Sequence, residues 1–126
     1  MAKAALLTFI ETPSYLQDAK KLLNDDEREA IVNLLSSTPC AGVLIKGTGG
    51  IRKIRWARED TGKIGAFRVI YYFHSTDIPL FVLNVFAKNE KVNISQAERN
   101  ELKKLSGLLV KQYSVRGKSH ERKKDH

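Results

Sequence analysis

The run from 46 to 88, KGTGGIRKIRWAREDTGKIGAFRVIYYFHSTDIPLFVLNVFAK, constrains the fold more than any other part of the chain. Residues 51–58 alternate strictly, so that in an extended strand Ile51, Lys53, Arg55 and Ala57 face one way and Arg52, Ile54, Trp56 and Arg58 the other. Because Ile54 and Trp56 call for burial, Lys53 and Arg55 are predicted to stand together on the opposite face, about 7 Å apart at a rise of ~3.3 Å per residue. Two cations so placed repel one another unless an anion lies between them, and a phosphate satisfies both. Residues 59–65 are polar with two glycines and read as a loop with Lys63 at its tip. The next run sets Phe67, Val69, Tyr71 and Phe73 against Arg68, Ile70, Tyr72 and His74. The first set is apolar enough to be core, which leaves Arg68 and Tyr72 for an open or partly open face. Residues 80–87 are apolar on both faces, as in a central strand covered on both sides, and they run into Lys88, Asn89 and Glu90. If the three runs pair in one sheet, their cations gather on a single basic face.

The flanking segments read as support. Residues 4–10 form an apolar first strand. Thr12 is predicted to cap a helix with Pro13 at its first position, and Tyr15, Leu16, Ala19, Leu22 and Leu23 follow at helical spacing. Asp25 or Asp26 is predicted to cap a second helix with Ala30, Ile31, Leu34 and Leu35 on its apolar side, ended by Ser36, Ser37, Thr38 and Pro39. Such a helical hairpin covers one face of the sheet. Gly47, Thr48, Gly49 and Gly50 lack the lysine and hydroxyl residue that end a phosphate-cradling loop and precede a strand, so they are read as a bend or bulge. Ser95 and Glu98 make a capping box for a last helix with a stripe of Leu102, Leu105, Leu108 and Leu109, running to about Tyr113. One domain, 1–115, is expected, with 116–126 as a basic, disordered tail.

The net charge is +8, and its distribution matters more than its size. Residues 1–42 carry −2, residues 43–68 carry +5, residues 69–115 carry +2 and the tail +3. Positive charge clustered in the middle of a folded domain points to a polyanionic partner such as nucleic acid. No apolar run approaches the ~18 residues of a membrane span and no signal peptide is legible, so the chain is expected in the cytoplasm, without a membrane. The single cysteine, Cys40, allows neither an internal disulfide nor a cysteine metal cluster. No metal site and no cofactor are expected, since carboxylates and histidines are not clustered.

Three segments, GTGGIRKIRWA, GKIGAFRVIYY and VFAKNEKVNIS followed by a helix, resemble the RelE/ParE superfamily of bacterial toxins, most closely its HigB-like branch. The resemblance covers about 46–109, and the preceding strand and two helices keep the family's order. It implies an α+β, RelE-like fold, an antiparallel twisted sheet with an N-terminal helical hairpin and a C-terminal helix. It also implies a metal-independent, ribosome-dependent mRNA endoribonuclease. Carried over by position, the catalytic set is Lys53, Arg55, Arg68 and Lys88; beside it, Arg52, Lys63, Tyr72 and Asn89 are expected to bind RNA. Two positions depart from the family pattern. Asn89 stands where RelE has an arginine, and Ser95 or its neighbours where RelE has a tyrosine, which shifts work to Lys88 and Arg68 and the stacking role to Tyr72. The implied partners are the ribosome with its mRNA and a cognate antitoxin of helix-turn-helix type, through which alone operator DNA would be bound.

RNA cleavage without a metal needs a group to take the 2′-hydroxyl proton, a cation to hold the pentavalent phosphorane, and a donor for the 5′-oxygen. His74 ends a strand and His120 and His126 lie in the tail, so the chemistry falls to Lys and Arg. A lysine among other cations suits proton transfer, because like charge disfavours its protonated form. Arg68 is thus read as the phosphorane stabiliser, Lys53 or Lys88 as the proton-transfer group, Arg55 as a phosphate binder and Tyr72 as a base-stacking ring. A ParE-like gyrase inhibitor and a non-catalytic nucleic-acid-binding module are the alternatives.

Overall fold

In the computed structural model, residues 7–57, 66–87 and 94–125 are described, with 114–125 as backbone only. The element order is β1 (Phe9–Glu11), α1 (Pro13–Leu22), α2 (Asp25–Ser37), β2 (Val43–Leu44), β3 (Ile51–Ala57), β4 (Ala66–Tyr72), β5 (Leu80–Ala87) and α3 (Gln96–Asp125). The five strands make one sheet in the order β1-β5-β4-β3-β2. Strands β2 to β5 pair antiparallel, as expected, while β1 pairs parallel to β5, so the sheet is mixed.

The alternation of β4 divides the core in two. Phe67, Val69 and Tyr71 pack with Tyr15 and Ala19 of α1, Ile31 and Leu35 of α2, and Leu80, Val82 and Val85 of β5. Ile70 and Tyr72 pack on the other face with Ile45, Ile51, Phe81 and Leu83, under Leu102, Leu105, Leu109, Val110 and Tyr113 of α3. Register agrees with this division, since Ile51 lies opposite Tyr72, and Ile54 opposite Val69.

Local signals explain most element ends. The Thr12 hydroxyl caps α1 by accepting from Tyr15 N at 3.3 Å, and Pro13 takes the first turn, where its missing N–H costs nothing. The cap of α2 is Asn24, one residue before the expected aspartates. Its side-chain oxygen accepts from Glu27 N while Glu27 Oε1 accepts from Asn24 N, both at 2.8 Å. This leaves Asp25, Asp26 and Glu27 in the first turn, where the helix dipole favours anions. The Ser95–Glu98 box opens α3 as expected, at 2.9 and 3.1 Å. Among the described side chains its apolar stripe reaches Tyr113, and the helix continues to Asp125 through most of the expected tail, where no proline interrupts it. The first strand is shorter and later than expected, Phe9–Glu11, and residues 1–6 lie outside the described residues.

The glycine-rich segment is the turn from β2 to β3, and it is also the seat of α3. Thr48 is fully buried, its hydroxyl donating to Ile45 O (2.6 Å) and accepting from Ile51 N (3.1 Å). Ser106 Oγ of α3 donates to Thr48 O at 2.8 Å. A Cβ on Gly49, at φ +78°, would lie 2.6 Å from that same Ser106 oxygen, so glycine is required there for both conformation and space.

Tyr15 is fully buried and its hydroxyl has no hydrogen-bond partner among the described residues. Burial, with a smaller push from Glu11, raises its pKa from 10.0 to about 12, against a lowering by Arg28. Between those values the unfolded phenol gives up its proton while the folded one keeps it. This contribution to stability is therefore complete below pH 10 and lost as pH rises toward 12. Tyr15→Phe is expected to be as stable as the wild type or more so at pH 7, by up to about 1 kcal/mol. It should also lose less stability between pH 9 and 11, which urea unfolding at several pH values measures. A residual alkaline loss is expected from Tyr71 and Tyr72, whose pKa values burial also raises.

Candidate nucleic-acid interface

Lys53 and Arg55 stand on β3 and Arg68 on β4, all on the α3 side of the sheet. Arg55 is the cross-strand partner of Arg68, and Lys53 that of Ile70. Directly opposed residues of an antiparallel pair have Cα atoms about 4.5–5.5 Å apart, and like charges at such positions are destabilising. No ion pair among the described residues engages Lys53, Arg55 or Arg68. On its other side Arg68 faces Phe86 of β5. Behind the cations, Trp56 and Phe67 bring their rings to 6.1 Å on the opposite face and fix the two strands against each other. Three cations are thus held together by apolar contacts they do not themselves make, and a bound polyanion would relieve their repulsion.

The remaining expected residues separate into three groups. Arg52 faces away from this cluster. Its guanidinium NH1 donates to Gly42 O (2.7 Å) and Cys40 O (3.1 Å), so in this structure it holds the 40–42 segment rather than joining the basic face. Alternation put it on the Ile54 face, but the carbonyls it meets there come from a segment that sequence spacing cannot place. Tyr72 shares the face of Arg68 but is only 3% exposed, under α3 and against Gly50, so its ring is closed to stacking on a base. Lys63, Lys88 and Asn89 lie outside the described residues.

Two residues, Phe86 at the site and Tyr71 on the opposite face, carried no local signal of what they do. Phe86 sits in a run apolar on both faces, and only register with Arg68 brings it to the site. Tyr71 reads as plain core, yet its hydroxyl accepts from Gly42 N and donates to Pro39 O, both at 2.8 Å, tying the same segment that Arg52 holds. No group of three or more His, Cys, Asp or Glu among the described residues could hold a metal ion. Likewise, no described helix is long and apolar enough to cross a membrane.

A family model described as the RelE toxin of the RelE/RelB toxin–antitoxin system matches residues 18–117. Among solved structures, the chain is similar to a double arginine-to-alanine mutant of Escherichia coli toxin RelE in the free state. The TM-score is 0.51 at 16% identity, over 69% of this chain and 88% of that one, a likeness of fold. The protein is therefore the toxin of a toxin–antitoxin pair, and its partner is an antitoxin. Within that class, the chain belongs to the RelE toxin family.

If Arg55 and Arg68 repel one another, removing one should not cost the fold. Arg68→Ala is expected to melt at or above the wild-type temperature at low ionic strength, a gain of about 0.2–1 kcal/mol that shrinks as salt screens the pair. Thermal unfolding across a sodium chloride series reads this difference.

Proposed function

We propose that the protein is a metal-independent, ribosome-dependent mRNA endoribonuclease that blocks translation in the cytoplasm. The observation that carries this reading is the direct opposition of Arg55 and Arg68, with Lys53 on the same face and no carboxylate partner for any of the three among the described residues. A cluster of that kind is costly in a free protein and favourable around a phosphodiester. RelE family membership supports the same reading.

In the proposed reaction Arg55 holds the scissile phosphate and Arg68 meets the charge that builds on its non-bridging oxygens. Lys53 or Lys88, the latter next in the chain after Ala87, serves proton transfer. The 2′-hydroxyl loses its proton and attacks phosphorus, the bond to the 5′-oxygen breaks, and that oxygen takes up a proton. The 5′ fragment then ends in a 2′,3′-cyclic phosphate. Guanidinium groups carried on two paired strands, whose backbone register is fixed, bring positive charge to the phosphorane without rearrangement of the sheet, which is how preorganised charge lowers a barrier. Confinement of cutting to the ribosome follows if the ribosome orients the mRNA for in-line attack, a geometry the sheet alone does not impose. The antitoxin is proposed to be of helix-turn-helix type, so that operator DNA is bound only by the complex.

Purified protein incubated with translating ribosomes and a defined mRNA is expected to give discrete cuts, absent with naked RNA. Arg68→Ala should slow cutting by about 10²-fold or more while the protein stays folded. Intact mRNA throughout would overturn the ribonuclease reading in favour of a gyrase inhibitor or a non-catalytic binder.

A further inference from the structure

A cleft of about 630 Å³ opens between α1, the start of α3 and strands β4 and β5, within the roughly 300–1,000 Å³ of small-ligand sites. Ile70, Phe86, Ile94 and Leu102 give it apolar walls. It borders the cationic cluster directly, because Phe86 is the cross-strand partner of Arg68 and Ile70 follows Arg68 by two residues on the same face of β4. Its charged lining is Asp18, Lys21, Glu98 and Glu101, net negative in a protein of charge +8. A phosphate is repelled there. An uncharged planar group with hydrogen-bond donors is not.

The carboxylates differ in what they have left to offer. Asp18 Oδ2 accepts from Val85 N (3.2 Å) and Asn84 Nδ2 (3.3 Å), closing the edge of β5 beyond the end of β1. Glu98 Oε1 accepts from Ser95 N in the capping box. Glu101 is exposed at the rim and has no partner among the described residues. Arg68 and Phe86 are direct cross-strand partners, their strands about 4.8 Å apart, so the base of a nucleotide whose phosphate is held by Arg68 is within reach of the cleft.

We infer that this cleft is a nucleobase pocket, in which Phe86 supplies a ring face and Glu101 accepts from the exocyclic amine of adenine, cytosine or guanine, disfavouring uracil. A carboxylate reading a base amine is the pairing expected from donor and acceptor geometry, and base–aromatic contact tolerates all four bases while the carboxylate discriminates. The inference rests on the ribonuclease reading only in taking RNA as the polymer, so its test does not use cleavage.

The full-length protein, isotope-labelled, is titrated with each of the four nucleoside 5′-monophosphates while backbone amide shifts are followed. AMP, CMP and GMP are expected to move the amides of Phe86 and Leu102 and to bind about tenfold more tightly than UMP. Glu101→Ala, at an exposed helical position that alanine suits, should abolish that difference and leave the shifts at Lys53 and Arg55 in place. Equal affinity for all four nucleotides, shifts confined to Lys53, Arg55 and Arg68, or undiminished discrimination by Glu101→Ala would each overturn the inference. So would cleft amides that respond to the antitoxin and to no mononucleotide, which makes the cleft a seat for protein. Loss of ribosomal cutting with base discrimination intact would sink the ribonuclease reading and leave the pocket standing.

Discussion

Burial of β4 on both of its faces is the condition that every other element serves. Phe67, Val69 and Tyr71 need the helical pair α1 and α2, while Ile70 and Tyr72 need α3, and β3 and β5 must flank the strand to use its backbone hydrogen bonds. Arg68 sits inside this strand, on the α3 face. A guanidinium in a central strand beside a second guanidinium is unfavourable by itself, and it persists because two apolar clusters hold the backbone in register regardless. Stability and the candidate site therefore draw on the same strand with opposite sign, as expected where charge is fixed in advance for a ligand.

How much of this was legible follows from which forces are local. Alternation is local, and it correctly put Lys53, Arg55 and Arg68 on one face of the sheet and Ile54 and Trp56 on the other. Capping is local too, and the starts of α1 and α3 fell where Thr12 and Ser95 indicated. The start of α2 slipped by one residue because Asn24 and Asp25 are both competent caps, and only Asn24 stands three residues before Glu27. Tyr72 is less open than its alternation suggests for a different reason. Its face was right, but whether that face is open depends on where α3 lands, and that is decided by Ser106 meeting Thr48 across 58 residues. Arg52 likewise met carbonyls from a segment whose path no pattern in the sequence specifies.

The segment between α2 and β2 shows how the sheet guards its free edge. Tyr71 and Arg52 tie it down from two sides, and Gly42 fits there because a Cβ would come within 2.7 Å of the Tyr71 hydroxyl and 2.9 Å of Lys53 O. The edge strand that follows is two residues long, with Val43 and Leu44 largely exposed. Its shortness limits what another strand could pair with, a common way of making an apolar edge harmless.

The parallel pairing of β1 with β5 has a consequence for how the protein is made. Thr12 N donates to Val82 O at 3.1 Å and the Thr12 hydroxyl to the same oxygen at 3.0 Å, joining residues 70 apart in the chain. During synthesis the first helices emerge long before the strand that docks them, and the last helix must follow before the second core can close. The basic residues of β3 and β4 are thus translated before β5 and α3, the elements that complete the packing around them. Such long-range closure slows folding and sets a clock: a partner that captures the chain has until α3 has left the ribosome before a finished basic face exists to be restrained.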